Sequence, residues 1–337
     1  MREQRIGILS IQETRLSDDE CLSLNERYHN TLDIVNSSNP EDENNGGIAI
    51  AFNKTVLDTS TVKYTTLIPG RAIHATLSWH GNRKLCVVAV YAPSAGGPDN
   101  EEFWMLLRNK LAAQGNNLHK PDILLGDFNL VEDAPDRLPP HNDRIGSVIA
   151  LRELRAALNL KDGWRETYPD QNAYTFFQTH RQGGRKSRID RIYIHSSLLP
   201  FARDWDINSS GVHTDHKLVT ARISAKDLPY IGRGRWSMPV FLIDDKRLQA
   251  MIDVLGKALQ GDLEALAESG RSTEDNPQRA FKRFKDKVIA LVRTEAKQRV
   301  PALERKARIL KDKINATMND GTLDEEEKRL TTSVLQD

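Results

Sequence analysis

The stretch Ile123-Leu124-Leu125-Gly126-Asp127-Phe128-Asn129 constrains this chain most. Its apolar residues are not spaced for a single dry face, so they read as a strand buried on both sides. Gly126 interrupts the run, and a carboxylate and an amide follow two residues apart. In an extended chain that spacing puts Asp127 and Asn129 on the same side. The carboxylate only accepts hydrogen bonds, whereas the amide both donates and accepts. Such a pair can hold a water and take its proton. It can equally close a strand with an Asx-turn. The heptamer alone leaves both readings open.

At 337 residues the chain has room for two domains, or one large domain with an extension. Formal net charge is +1, so any nucleic-acid contact must come from a local patch. Two cysteines, Cys21 and Cys86, exclude a disulfide framework and a cysteine-rich zinc site. Their rarity suits a reducing compartment; the expected localisation is intracellular and nuclear. No stretch approaches the roughly 18 apolar residues of a membrane span, so no membrane partner is expected. The N-terminus leads directly into a strand and does not read as a signal peptide.

Along the chain, Ile6–Ile11 reads as a buried strand that delivers Glu13 to its C-terminal end. Ser17 and Glu20 have capping-box spacing, which predicts a short helix. Gly46-Gly47 opens a strand over Ile48–Phe52, and residues 36–45 read as a loop. Thr61–Tyr64 and Arg71–Trp79 alternate like half-buried strands. A turn at His80-Gly81-Asn82 leads into Lys84–Tyr91. Glu101–Gln114 has helical periodicity, and Ser147 is the expected cap of a helix ending at Leu158. Leu130–Ile145 reads as a loop. Tyr174–Thr179 and Ile189–Ile194 are expected to pair as a hairpin turning at Gly183-Gly184. Its tip would display His180, Arg181, Arg185, Lys186 and Arg188, a local basic patch able to contact phosphates. Asp215-His216 stands before the last apolar strand, and Asp190 brought near His216 would fix its tautomer and favour its charged form. The expected organisation is a domain over 1–225, a linker over 226–240 and a helical extension over 241–337, with Pro301 breaking its long helix.

The ordered set Gln12-Glu13-Thr14, Tyr91-Ala92-Pro93, Gly126-Asp127-Phe128-Asn129, Arg188-Ile189-Asp190 and Asp215-His216 resembles the endonuclease/exonuclease/phosphatase superfamily, over roughly residues 5–225. Tyr174-Thr175-Phe176-Phe177 looks like the endonuclease domain of LINE-type, non-LTR retrotransposons. The Gly-Arg-Trp-Ser stretch at 234–237 and the helices after it look like the connector to a reverse transcriptase. The resemblance implies an α/β fold in which two mixed β-sheets pack face to face between helices. It implies Mg2+, or Mn2+, at Glu13 and Asp215, and a water activated by Asp127 with Asn129. His216 braced by Asp190 and the Tyr91 hydroxyl would meet the phosphate. DNA would be nicked to leave a 3′-hydroxyl, with Thr175, Arg181, Arg185, Lys186 and Arg188 contacting the DNA. The C-terminal helices would dock a partner or a reverse transcriptase.

Superfamily members begin with an earlier strand carrying an asparagine, and this chain starts at about the second such strand. A truncated gene product or a retroelement remnant is one expectation. An abasic-site repair nuclease, a phosphoesterase for inositol phosphates or sphingolipid, and a non-catalytic nucleic-acid binder are the alternatives to a retroelement endonuclease.

Overall fold

The computed structural model describes residues 1, 5–40, 46–80, 83–94, 97–113, 118–178, 184–209, 214–224 and 238–319, with 323, 327 and 331. The described residues fall into two compact units, one up to residue 224 and one over 238–316.

In chain order the first unit opens with β1 (Ile8–Gln12), α1 (Asp18–Arg27), β2 (Leu32–Ser37) and β3 (Ile48–Asn53). Next come β4 (Lys63–Ile68), β5 (Ala72–Ser78), β6 (Lys84–Tyr91), α2 (Asp99–Ala112) and β7 (Ile123–Asp127). Then follow β8 (Arg137–Leu138), α3 (Ile145–Ala157), β9 (Leu160–Asp162) and α4 (Gly163–Thr167). The short β10 (Phe176–Phe177) and β11 (Lys186–Ser187) precede β12 (Asp190–His195), β13 (Ala202–Ser209) and β14 (Lys217–Ile223).

Six strands form the central sheet, in the order β4-β5-β6-β7-β12-β9. β6 and β7 run parallel and the other neighbours antiparallel, so the sheet is mixed. A parallel pair needs a crossover between its strands, and α2 lies in it. One face of this sheet carries Leu124, Phe128 and Tyr193 against Trp104, Leu107, Leu151 and Leu154 of α2 and α3. The other face carries Ile73, Val87, Ala89 and Ile123 against Ile48, Ile50 and Phe52 of β3. Each such side chain, fully buried, contributes roughly 1.5–3 kcal/mol of transfer free energy.

The layer facing the central sheet is in two pieces, a three-stranded sheet β1-β3-β2 and a two-stranded sheet β13-β14. The expected α/β architecture of mixed sheets and flanking helices is present. The capping box is formed too: Ser17 Oγ accepts from Glu20 N–H, and Glu20 accepts from Ser17 N–H.

Several expectations are corrected. Ile189–Ile194 does not pair with Tyr174–Thr179; β10 pairs with β11, and β12 joins the central sheet between β7 and β9. The apolar alternation of residues 189–194 suits a central strand better than a projecting ribbon. Ser147 lies buried in the first turn of α3 and does not cap it. β2 and β13 were not anticipated, because charged and amide residues interrupt their alternation.

The second unit holds α5 (Lys246–Ser269) and α6 (Pro277–Asn319) around Leu242, Leu248, Val292 and Ala296. Asp245 caps α5 by accepting from Leu248 N–H, and Arg299 pairs with Asp245. The expected break at Pro301 is absent, since α6 continues through it. Pro301 and Lys297 are exposed, so the carbonyl that loses its donor is left to water. Among the described residues no helix is long and apolar enough to cross a membrane.

Candidate active site

The C-terminal ends of β1, β6 and β7 and the N-terminal ends of β12 and β14 meet along one rim of the first unit. Strand register places the side chains. Tyr91 lies opposite Asp127 in the β6–β7 pair, and Asp127 lies opposite Asp190 in the β7–β12 pair. His216 Nδ1 is 2.9 Å from Asp190 Oδ2, and Tyr91 donates its hydroxyl to Glu13 Oε1 at 3.0 Å. A continuous line therefore runs from Glu13 through Tyr91, Asp127 and Asp190 to His216.

Gly126 makes the close strand approach possible. Its φ is +138°, and a Cβ there would lie 1.9 Å from the carbonyl oxygen of Val90. Only glycine fits. Glu13 (φ 52°) and Asn129 (φ 48°) flank the rim in the left-handed region, where an ordinary side chain costs about 1–2 kcal/mol and asparagine less. Asn129 N–H donates to Asp127 Oδ1 at 2.8 Å, which is the Asx-turn, and its side-chain amide donates to the Ala92 carbonyl at 2.9 Å. The turn reading of the heptamer is thus realised inside the site.

Charge is concentrated where solvent is scarce. Asp127 is buried, and this pushes its carboxyl up to about 8, with the charge of Asp190 adding to the rise and His216 opposing it. Burial works against charge on His216, but the hydrogen bond and charge of Asp190, followed by Asp127 and Asp215, raise it to about 9. Burial and then Glu13 push the Tyr91 hydroxyl up to about 12, so it stays a donor. Asp127, Asp190 and His216 each offer a ligand atom within 4.8 Å of the others. Asp190 already serves His216, which leaves Glu13 and Asp127 as carboxylates with spare acceptor capacity, a donor set suited to a hard divalent ion. Asp215 is exposed, and its carbonyl accepts from Phe177 N–H.

The expected DNA contacts fare differently. Arg181 lies outside the described residues, and Arg185 is exposed. Lys186 and Arg188 are not on a surface tip: they are 4% and 3% exposed. The Lys186 ammonium lies over the Phe177 ring. Arg188 is held by Asp136 and Asp162 at 2.7 and 2.8 Å. Thr175 is buried as well, and its Oγ1 accepts from the N–H groups of Ile189 and Asp190, so it positions the strand that carries Asp190. Arg71 escaped the sequence reading. Its guanidinium stacks over the Tyr91 ring at 4.6 Å, and it lines a cavity of about 410 Å³ with Tyr91 and Asn129. A second cavity of about 460 Å³ is lined by Asn129, Arg137, His141, Arg144 and Phe176. Nothing in the spacing of Arg71 could have signalled this, since it stands at a strand entrance.

Residues 1–216 match the model of the endonuclease/exonuclease/phosphatase family. The chain belongs to that family. Solved structures share its fold. The AP endonuclease LMAP of Leishmania major superposes with a TM-score of 0.54 at 17% identity, covering 64% of this chain and 78% of that one. The 3′-5′ exonuclease NExo of Neisseria meningitidis gives 0.52 at 22% identity, covering 65% and 90%. By sequence the chain is 37% identical over 168 residues to an uncharacterized 149 kDa protein of transposon TX1 in Xenopus laevis, covering 49% of this chain and 12% of that protein. It is 31% identical over 116 residues to the DNA repair nuclease APEX1 of Danio rerio, covering 32% and 37%. The chain thus spans well under half the length of these two relatives.

Proposed function

We propose that this chain is a divalent-metal-dependent endonuclease that nicks DNA, in the manner of a retrotransposon endonuclease. The observation that carries the reading is the convergence of Asp127, Asp190 and His216 at one rim, with Glu13 and Tyr91 linked beside them. Glu13, with Asp215, would hold Mg2+ or Mn2+. The ion, when bound, supplies positive charge for the scissile phosphate and its leaving oxygen.

The other steps belong to side chains. Asp127 takes the proton of the attacking water, and a carboxyl raised by burial is suited to a base working near neutral pH. Asn129, fixed by its bonds to Asp127 and Ala92, orients that water. His216 donates from the ring nitrogen not engaged by Asp190 to a phosphoryl oxygen as its charge grows. The Tyr91 hydroxyl, turned from Glu13, donates to the same group. Arg71, stacked on Tyr91, extends the positive surface toward the neighbouring phosphate. The water oxygen bonds to phosphorus and the P–O3′ bond breaks; the departing 3′ oxygen takes up a proton from solvent, which leaves a 3′-hydroxyl on one side of the nick and a 5′-phosphate on the other.

Supercoiled plasmid incubated with the purified chain is predicted to relax to the nicked circle with Mg2+ and to stay supercoiled with chelator. Nicks should be extendable by a polymerase without end repair. Plasmid untouched at any Mg2+ or Mn2+ concentration would favour a non-catalytic nucleic-acid binder, which the split second layer also suits.

A further inference from the structure

The near-zero net charge of the chain conceals two regions of different sign. Residues 1–224, the span of the first unit, contain 26 lysines and arginines against 28 aspartates and glutamates. α6 contains 13 against 4. The unit that carries the rim therefore has no net attraction for a polyanion, whereas the longest helix of the other unit has a large one.

Packing fixes which way this charge points. Ala280, Val292 and Ala296 of α6 are buried, and Val288, Leu291 and Val300 pack beside them with Leu242, Leu248 and Ile252. At 3.6 residues per turn, Arg279, Lys282, Arg283, Lys287, Arg293 and Lys297 fall on the opposite arc. All six are exposed. Asp286 is the one acidic residue that shares this arc between 277 and 300.

Nothing within the helix rewards the arrangement. Arg279 and Arg283, Arg283 and Lys287, and Arg293 and Lys297 each stand four residues apart, a spacing at which like charges destabilise a helix. The first turn holds no acidic residue, so Arg279 also opposes the positive end of the helix dipole. Arg283 does meet Asp275 at 3.1 Å, but both are exposed, and such a pair contributes little. A row of phosphates turns each of these repulsions into an attraction. The stripe offers no aromatic ring: Phe281 lies off it, beneath the Lys285 ammonium. Unpaired bases therefore find no stacking platform there, and the face suits a regular backbone instead.

We infer that the outer face of α6, from Arg279 to Lys297, is a binding surface for the phosphate backbone of duplex DNA, built from residues other than those of the rim. At 1.5 Å per residue the stripe is about 27 Å long, roughly eight base steps of a duplex. That the duplex is DNA rests on the proposed nicking of DNA. That the ligand is a regular row of phosphates rests on the stripe alone.

The full chain is titrated with a labelled DNA duplex of roughly 20 base pairs, more than twice the length of the stripe, and followed by anisotropy. Chelator is present throughout, so binding is read without nicking. Lys282→Gln, Lys287→Gln and Lys297→Gln together should lower the log–log salt slope by roughly 2.7, about 0.9 for each contact. Glutamine matches lysine in helix propensity and the three side chains are exposed, so the thermal melt should stay in place. Arginine at the same three positions should keep the slope. Should the triple change disturb the melt, Lys282→Gln alone should still lower the slope by about 0.9. Removing as much charge from α5, by Lys246→Gln, Arg247→Gln and Lys257→Gln, should leave the slope nearly unchanged. No binding at low salt, an unchanged slope in the α6 variant or an equal fall in the α5 variant would overturn the inference. So would tighter binding of duplex RNA or of single strands than of duplex DNA. Plasmid nicking with Mg2+ is measured apart: a slope that falls as expected in a chain that does not nick would support the surface and sink the nuclease reading.

Discussion

Two clusters of charge lie on opposite faces of β12. Asp190 opens the strand and looks to the rim; Arg191, next in the chain, looks inward. Around Arg191 each charge has an opposite charge beside it, although Arg191 Nε itself makes no hydrogen bond. Arg191 meets Asp136 at 3.1 Å and donates to the Tyr193 hydroxyl at 2.9 Å, and Tyr193 in turn donates to Glu132 at 2.6 Å. Arg188 and Arg165 complete the coordination of Asp136. Burial works against the charge on Asp136, but Arg188 and then Arg191 overcome it and hold the carboxyl down at about 2. Around Asp190 the sum does not close. Two carboxyls face one imidazole, and the carboxyl of Asp127 is pushed up rather than down. The inner cluster is a fastening. The outer one has unspent acceptor and donor capacity, which is the condition for binding an ion or a substrate.

That contrast breaks most sharply under substitution. Asp127→Ala and His216→Ala are each predicted to lower plasmid nicking by roughly 10²–10⁴-fold, with the melting temperature changed little. Nicking assays paired with thermal melts check this; a large loss of stability would mean the outer cluster is also a fastening. Arg191→Ala should behave in the opposite way. Removing one partner from a buried ionic network costs about 3–5 kcal/mol, so denaturant unfolding should show a strongly lowered midpoint. Any activity at low temperature should then fall only with the folded fraction.

Acid sharpens the comparison further. Asp136 has a folded pKa below its unfolded value, so its contribution is complete above about pH 4 and lost as pH falls through about 2. That contribution is roughly 2 kcal/mol for a shift of this size. Urea unfolding at pH 5 and pH 2.5 should reveal the difference, and Asp136→Asn should reduce it, the remainder coming from Glu132 and Asp162, whose carboxyls the same arginines also hold down. The smallest effect belongs to the surface. Arg185→Ala removes an exposed charge. If Arg185 meets one phosphate, the salt dependence of DNA binding should lose about 0.9 from its log–log slope. An unchanged slope would make Arg185 an ordinary solvated residue.

Much of the rim was legible because strand ends announce themselves. Gly126 stops an apolar run before Asp127, Pro93 closes the strand of Tyr91, and Asp215-His216 opens an apolar strand. In this mixed sheet the C-terminal ends of β6 and β7 and the N-terminal end of β12 share one side, so the residues at those ends come together. Asp190 and His216 do so, at hydrogen-bonding distance. Lys186 and Arg188 were misread because a sequence displays charge but not burial. Their partners, Phe177, Asp136 and Asp162, lie in other segments, and only the folded sheet brings them together. Asp136 stood in a stretch read as a loop, yet it is the anchor of the inner cluster. Thr175 was read as a DNA contact, whereas its hydroxyl serves two backbone amides that no side-chain pattern reveals.

The parallel pairing of β6 with β7 also governs when the rim can exist. Tyr91 and Asp127 come level only after the crossover through α2 has closed, and Asp190 joins only once β12 has entered beside β7. His216, the final member, lies beyond β13 in the chain. Contacts between such distant residues are slow to form, since loop closure precedes any gain from them. During synthesis from the N-terminus, a growing chain therefore carries an incomplete rim until the last strand of this unit has emerged. The order of the sequence is itself a delay on the assembly of the site.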